Sequence, residues 1–368
     1  MVTTEEQQKE AHKNFTVSFR ASELLSVISA LQPIASNNKL PVERIISFFV
    51  YDGQFGATAK DGIAYASIEG TCAFQGKNSF ALRVEDLMST VKGIGTITMH
   101  VKDEIVIMEK GNSTVQLVKY LPNCTPFRNN EGIFELVPSE KMLRVVQRLA
   151  KYISADMNEF NAVMLSEGYA YVRDHLCYMI TPLEIGDTVV FSKTMAKQFN
   201  AIFNKTFAIS KDNNIAVRFN PDTSLTELTS GKANLRFKSF DYRGTDLSKF
   251  TAFFNAEGNS MHREELLDAV REIIAIEKCN DVYVSLEPNR TKITPKKDNT
   301  KTELIVKSAS SDNVEFGHKF QFTTNLTYLE KILAGMNSKT VAIAKQGNFC
   351  ILINEEREIP IRYFLATL

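Results

Sequence analysis

Glycine and proline are scarce, with 17 and 10 residues respectively in a chain of 368. Both fractions lie below average usage, which excludes collagen-like, linker-rich and low-complexity chains. No stretch of the sequence is apolar for the roughly 18 residues that a membrane-spanning helix needs, so we expect no membrane partner. The polar, acidic opening Met1–Glu10 predicts no signal peptide.

A charge excess of either sign is also missing, because 43 Lys and Arg residues balance 43 Asp and Glu residues. This balance argues against a wholly basic nucleic-acid binder and against an acidic disordered chain. The five cysteines are widely separated and form no Cys-x-x-Cys pair, which excludes a zinc ligand pair and a disulfide framework. We therefore expect no metal, no cofactor and a location in the reducing cytoplasm.

Signatures of catalysis are absent as well. The sequence contains no phosphate-binding loop with Gly-Lys-Ser or Gly-Lys-Thr, no His-Glu-x-x-His and no Gly-x-Ser-x-Gly. Gly93-Ile94-Gly95 has Thr98 where a dinucleotide-binding loop needs its third glycine, so we interpret it as a helix-to-strand turn. Asp174-His175 could form an acid/base pair, but a turn between two strands explains it better. These absences favour a binding or structural protein over an enzyme.

An internal repeat organises the chain. A short alternating strand followed by an apolar helix begins near Phe15, Phe134 and Ser260, at intervals close to one third of the chain. A second helix recurs in each repeat, at 84–91, 194–203 and 325–333. The strands predicted after these helices are Thr96–Val101, Thr206–Ser210 and Thr340–Ala344.

Alternating strands joined by tight turns fill the rest of each repeat. Ile45–Tyr51 and Gln54–Lys60 flank Asp52-Gly53, and Asp61-Gly62 follows them; Asp-Gly pairs are strong hairpin signals. The predicted fold class is therefore α+β, with three repeated domains of two helices packed on antiparallel sheet. The predicted boundaries are a flexible tail at 1–14 and domains at 15–130, 131–250 and 251–368.

Four cations share one side of the helix predicted at 141–153. We call Lys141, Arg144, Arg148 and Lys151 the cationic stripe; at about 100° per residue they span an arc of roughly 80°. A stripe of like charges lacks the i,i+4 ion pairs that normally stabilise a helix surface, so a negative partner such as phosphate would explain it. A simple solvated face is the alternative. Lys193 and Lys197 on the next helix indicate the same partner more weakly.

With three such domains, the sequence resembles the bacterial DNA polymerase III beta subunits, the DNA sliding clamps. The resemblance rests on short pieces in order: Ala57–Gly62, Phe240–Arg243, Val282–Ser285, Lys292–Thr294, Leu329–Leu333 and Tyr363–Leu368. It implies three clamp-type domains in a head-to-tail ring of two subunits around duplex DNA, with no catalytic activity. The implied partners are double-stranded DNA bound without sequence preference, the replicative polymerase, the clamp loader and a second copy of the chain.

Some positions depart from the clamp pattern. Asn158–Ala162 stands where the family has an arginine-rich entry to a strand, and Phe240-Asp241 lacks an intervening proline. The chain is neutral where family members are commonly acidic, and its end lacks the usual Met-Pro-Met. These departures concern the specificity of partner binding more than the fold.

The resemblance also assigns candidate interfaces. The cationic stripe, with Lys193 and Lys197, would line the inner wall of the ring. The peptide cleft for polymerase and loader would contain Phe160, Arg173, Leu176, Tyr178, Thr245, Phe364, Leu365 and Ala366. The dimer interface would join edge strand 113–121, with Val118 and Tyr120, to Ile274 and Ile276 of the last domain.

Simple core positions are the alternative for the apolar members of the last two sets. For the whole chain, two other functions stay open: a clamp-like protein that binds replication factors without encircling DNA, and an enzyme whose site lies in a groove between domains.

Overall fold

The computed structural model describes residues 14–127, 133–153, 162–173, 177–210, 213–239, 246–252, 254, 258–278, 281–287, 290–296, 302–307, 320–354 and 359–367. The chain forms two compact units, the first made of Met1–Gln147 with Ile185–Asp241 and the second of Arg148–Glu184 with Tyr242–Leu368. Of the predicted tail at 1–14, residues 1–13 lie outside the described part.

The helices begin where the sequence provides starting signals. Glu23 lies in the first turn of the first helix, and the Asn325 side chain accepts hydrogen bonds from the N–H groups of Thr327 and Tyr328 at the start of the last. The α-helices are α1 (Ala21–Ala35), α2 (Val84–Thr90), α3 (Ser139–Leu149), α4 (Lys193–Ser210), α5 (Ser248–Thr251), α6 (Arg263–Glu277) and α7 (Leu326–Gly335).

The strands of the first half of the chain are β1 (Phe15–Arg20), β2 (Ile45–Tyr51), β3 (Gln54–Lys60), β4 (Ala64–Ala73), β5 (Lys77–Arg83), β6 (Thr96–Val101), β7 (Ile105–Lys110), β8 (Ser113–Val118), β9 (Glu135–Pro138), β10 (Val163–Ser166), β11 (Tyr169–Arg173) and β12 (Cys177–Pro182). Those that follow are β13 (Val189–Phe191), β14 (Asn214–Asn220), β15 (Leu225–Ser230), β16 (Ala233–Lys238), β17 (Asn259–His262), β18 (Asp281–Glu287), β19 (Arg290–Pro295), β20 (Leu304–Lys307), β21 (Phe320–Asn325), β22 (Thr340–Gln346), β23 (Phe349–Asn354) and β24 (Arg362–Ala366).

The first unit contains a 12-stranded antiparallel sheet in the order β8-β7-β6-β1-β4-β16-β15-β14-β9, with β3 paired to β4 and β2, and β5 paired to β2. Strand β4 connects the two parts of this sheet, because it pairs with β1 at Phe19–Cys72 and with β16 at Tyr65–Arg236. Helix α1 packs against α4 and against β3 and β4. Its buried side chains, among them Leu24, form the core between helix and sheet.

The second unit contains two antiparallel sheets. One has the order β10-β11-β12-β24-β23-β22-β17, and the other has the order β20-β19-β18-β21. Helices α6 and α7 pack together, and α6 also contacts β17 and β20. Strand β24 lies between β12 and β23, so both sides of the Arg362–Ala366 backbone are hydrogen-bonded.

The structure confirms the α+β class with antiparallel sheets, and the predicted hairpin Ile45–Tyr51 with Gln54–Lys60 has the predicted bounds. The strand predicted at Thr206–Ser210 is wrong, because α4 continues to Ser210. No glycine or proline interrupts α4 after Phe203, so the helix has no stop signal there. The domain boundaries at 130/131 and 250/251 stay predictions.

Candidate functional site

The cationic stripe lies on α3 and on the 3₁₀ turn Ala150–Tyr152 that follows it. Met142, Val145 and Val146 on the other side of the helix are fully buried. The stripe itself reaches solvent, with Arg144 and Lys151 exposed and Lys141 and Arg148 half-buried. The amphipathic pattern thus directs the apolar side chains to the interior and leaves the cations at the surface.

One cation of the stripe has a partner that the sequence analysis did not expect. Glu140 forms an ion pair with Arg144 one turn further along α3. Because both side chains are largely exposed, this pair contributes only a few tenths of a kcal/mol. The stripe therefore stays positive overall, although the expectation of a stripe without i,i+4 pairing is wrong.

The two lysines of α4 lie at its beginning, where Lys193 is half-buried and Lys197 is exposed. Lys197 borders a cavity of about 240 Å³ in the first unit. Its lining residues come from the end of α1 and the start of α4: Pro33, Ser36, Asn37, Thr194, Lys197 and Gln198. The lining is mostly polar, and Lys197 is the charged residue in it.

Asp61 joins the two sides of this cavity. Its Oδ2 accepts hydrogen bonds from Asn37 Nδ2 and Gln198 Nε2, both at 2.8 Å. Its Oδ1 accepts from the N–H groups of Ile63 and Ala64, which closes the turn between β3 and β4. The sequence analysis recognised Asp61 as a turn residue but missed its link to two helices, since both contacts come from distant parts of the chain.

In the second unit, three residues of the predicted peptide cleft come together on neighbouring strands. Tyr178 of β12 pairs in register with Phe364 of β24. The Arg173 guanidinium lies 5.7 Å from the centre of the Tyr178 ring. Phe364 is fully buried, whereas Arg173 and Tyr178 are half-buried and reach the surface.

The remaining cleft residues fall into two groups. Leu365 pairs with Cys177 and is 1% exposed, so it points to the sheet face opposite Phe364 and belongs to the core. Ala366 is half-buried at the end of β24. Phe160, Leu176 and Thr245 lie outside the described residues.

Two phenylalanines that the sequence analysis missed complete this aromatic cluster. The Phe250 ring on α5 lies 4.5 Å from Tyr178 and 5.1 Å from Phe364, measured between ring centroids. Phe349 of β23 lies 5.4 Å from Phe250. The aromatic-rich run Phe250–Phe254 was the available signal, but it has no periodicity that would assign its position.

A buried tyrosine pair includes the residue that precedes Phe364. The hydroxyl groups of Tyr152 and Tyr363 are 3.3 Å apart, and burial raises the pKa of both phenols. Tyr152 also donates a hydrogen bond to the Ile332 carbonyl of α7 at 3.5 Å. Tyr363, one residue before Phe364, is thus held by a polar contact in the core.

The residues predicted for a dimer interface are distributed over both units. Val118, at the end of edge strand β8, is 57% exposed, and Ile276 near the end of α6 is 58% exposed. Ile274 is half-buried. Tyr120 is not part of the predicted edge strand 113–121, because β8 ends at Val118 and Tyr120 exchanges backbone hydrogen bonds with Ala81.

Other classes of site find no support within the described ranges. No cluster of three or more His, Cys, Asp or Glu side chains there could hold a metal ion. None of the helices described is long and apolar enough to cross a membrane.

No protein-family profile matches the chain, and no curated protein matches it in sequence. Solved structures do resemble it. A DNA polymerase sliding clamp from Pseudomonas aeruginosa has a TM-score of 0.75 at 14% identity, over 96% of this chain and 100% of that one. The DNA polymerase III beta subunit from Thermotoga maritima has a TM-score of 0.74 at 15% identity, over 96% of this chain and 99% of that one.

The Helicobacter pylori beta clamp, in complex with a difluorobenzamide, has a TM-score of 0.74 at 11% identity, over 96% of this chain and 100% of that one. Each similarity covers nearly the whole length of both chains at low sequence identity. The chain therefore has the fold of the bacterial DNA polymerase III beta subunits, the DNA sliding clamps.

Proposed function

We propose that this chain is a DNA sliding clamp, a non-catalytic ring that encircles duplex DNA and tethers the replicative polymerase. The observation that carries the proposal is the clamp fold, shared over 96% of this chain with the full length of the Pseudomonas aeruginosa clamp. Processivity of this kind requires a closed path around DNA and no chemistry, which agrees with the lack of catalytic motifs.

The cationic stripe, with Lys193 and Lys197, would attract the DNA backbone. Lysine and arginine side chains that contact phosphates position a protein on a duplex without reading its bases. All six side chains are exposed or half-buried, so they are within reach of a phosphate backbone. Such contacts suit a ring that slides.

A second copy of the chain would close the ring. Strands β8 of the first unit and β20 of the second are at the edges of their sheets, and unpaired edges are surfaces that proteins cover. Val118 at the end of β8 and Ile276 on α6 are large, exposed and apolar. A head-to-tail contact that joins the first unit of one copy to the second unit of the other would bury both, twice per ring.

Peptides of the polymerase and the clamp loader would bind the aromatic cluster around Tyr178 and Phe364. A few aromatic anchors usually provide most of the affinity for a short peptide. Arg173, which lies 5.7 Å from the Tyr178 ring centre, would add a positive charge beside the bound peptide.

The test is retention on DNA of different topology. The protein is loaded with its clamp loader and ATP onto nicked circular DNA and passed over a gel-filtration column. We expect it to co-elute with the circle and to be released when a restriction enzyme linearises the DNA. Equal retention before and after linearisation, or no retention, contradicts the ring. Polymerase binding without topology-dependent retention would favour the alternative, a clamp-like protein that does not encircle DNA.

A further inference from the structure

In the second unit, a short segment of the same chain packs into the aromatic cluster that the proposed function assigns to partner peptides. Phe250 is 5% exposed, and its ring contacts Tyr178, Phe349 and Phe364, which come from three adjacent strands. Leu247, one helical turn earlier, is 4% exposed. The segment thus buries two apolar side chains, one of which, Phe250, lies within the aromatic cluster.

The rest of this segment is at the surface. Ser248 and Lys249 between the two anchors are exposed. The hydrogen bonds that involve these residues are local: the N–H groups of Phe250 and Thr251 donate to the Leu247 carbonyl, and Ser248 donates to Asp246. Side-chain burial therefore holds residues 247–251 in the aromatic cluster, and Arg362 Nε holds the chain just after them by donating to the Phe254 carbonyl at 3.1 Å.

The first unit contains the same contact in a more strongly fixed form. The rings of Phe127 and Tyr65 are 4.3 Å apart, and Tyr65 pairs in register with Arg236 as Tyr178 pairs with Phe364. The Arg236 guanidinium lies 4.3 Å from the Phe127 ring and forms an ion pair with the buried Glu227. A charged network thus holds Phe127 in place.

We propose that residues 247–251 form an intramolecular plug and that a partner peptide enters the cleft by displacing Phe250. The proposal rests on the cleft assigned under the proposed function and adds how that cleft is regulated. Much of the stabilisation from Phe250 comes from buried apolar area, which an aromatic or leucine side chain of a ligand can also supply. The plug lowers the fraction of chains with an open cleft and weakens apparent peptide affinity about tenfold to a hundredfold.

Anisotropy of a fluorescein-labelled heptapeptide with the sequence of residues 246–252 measures whether the plug competes. Phe250→Ala in the full chain is expected to bind this peptide at least about tenfold more tightly than the parent. Phe127→Ala, which removes the equivalent ring from the first unit, is the matched control and is expected to bind like the parent. Equal affinities for all three chains, or no binding to Phe250→Ala, overturn the plug.

A second variant observes the displacement with an aromatic ring kept in the cleft. The chain contains no tryptophan, so Phe250→Trp introduces a single reporter. An excess of the unlabelled heptapeptide is expected to shift its emission to longer wavelength and to increase acrylamide quenching. Phe127→Trp is expected to show neither change. Unchanged emission of Phe250→Trp at saturating peptide overturns the proposal.

DNA retention separates this proposal from the proposed function. Phe250→Ala is assayed on circular and linearised DNA beside the parent. If the protein is retained on circular DNA but fails both peptide tests, the proposed function stands and the plug proposal is wrong. If it passes the peptide tests but is never retained on circular DNA, the plug proposal stands and the ring function is wrong.

Discussion

Arg236 donates from Nε to Glu227 Oε1 over 2.7 Å, and Arg218 donates from Nε to Oε2 of the same carboxylate over 2.7 Å. Glu227 is 3% exposed, so both guanidinium groups compensate a buried charge. Each guanidinium also lies against a phenylalanine, Arg236 at 4.3 Å from Phe127 and Arg218 at 4.9 Å from Phe134. Phe127 and Phe134, which lie on either side of residues 128–132, thus pack against arginines of β16 and β14.

Replacing the shared carboxylate should destabilise the first unit. Glu227→Gln keeps the shape but removes the charge that both arginines pair with. We expect a loss of roughly 2–3 kcal/mol, less than for a fully buried pair, because Arg218 and Arg236 are 27% and 31% exposed. Urea unfolding followed by circular dichroism measures the loss.

An ion pair at the surface provides the control for this loss. Glu330→Gln removes the partner of Arg271; these side chains are 34% and 52% exposed, and the change should cost below about 1 kcal/mol. Equal losses for Glu227→Gln and Glu330→Gln would contradict the special role of the buried carboxylate.

Charge reversal along the cationic stripe should weaken DNA retention without unfolding the protein. All four residues, Lys141, Arg144, Arg148 and Lys151, are changed to Glu. Each neutralised phosphate contributes about 0.9 to the slope of log affinity against log salt, so the slope should fall and retention at low salt should drop strongly. Thermal unfolding of the variant is measured beside retention, since Lys141 and Arg148 are half-buried and Arg144 pairs with Glu140; the variant should still unfold cooperatively. Retention times at several salt concentrations provide the measurement.

The control for the stripe reverses four exposed lysines elsewhere. They are Lys77, Lys102, Lys238 and Lys339. This variant has the same net charge change, so a general electrostatic effect would weaken retention equally in both. If the stripe variant holds circular DNA as well as this control does, α3 does not line the DNA path.

Tyr65 should make stability depend on pH in the alkaline range. Burial, followed by the nearby Cys124, raises the pKa of Tyr65 from 10.0 to about 12. Below pH 10 both the folded and the unfolded chain hold the phenolic proton, and the contribution is complete. Between pH 10 and 12 the unfolded chain releases the proton first, so stability falls as pH rises.

Tyr65→Phe should therefore make the unfolding free energy fall less steeply with pH in this range, by the equivalent of at most one proton. Urea midpoints from pH 9 to 11.5 for the parent and the variant provide the comparison. If the urea midpoints of the parent and the variant change with pH in the same way, Tyr65 has the same pKa in the folded and the unfolded chain.

Local signals predicted much of the fold. The hairpin of Ile45–Tyr51 and Gln54–Lys60 was predictable, since strict alternation and an Asp-Gly turn both act over a few residues. The end of α4 was not, because aromatic and β-branched residues after Phe203 favour a strand locally, yet the helix continues to Ser210.

The candidate site residues were also predictable only where the signal is local. Periodicity alone was enough to place the stripe on one side of α3. Phe250 could not be assigned from sequence, because its partners Tyr178, Phe349 and Phe364 lie far away in the chain and α5 is a single turn. Asp61 likewise acquires its role only when α1 and α4 meet.

Dimer assembly should depend on the exposed apolar side chains beside the sheet edges. The parent is expected to have about twice the chain mass of 41.4 kDa by light scattering at micromolar concentration. Val118→Glu or Ile276→Glu would place a charge in the buried part of the interface, and each should give a monomer. Because these side chains are 57% and 58% exposed in the single chain, neither change should affect its folding. Ile94→Glu, at a 92% exposed turn position, is the control and should stay dimeric. A dimer that survives both interface changes, or a monomeric parent, would contradict the head-to-tail contact.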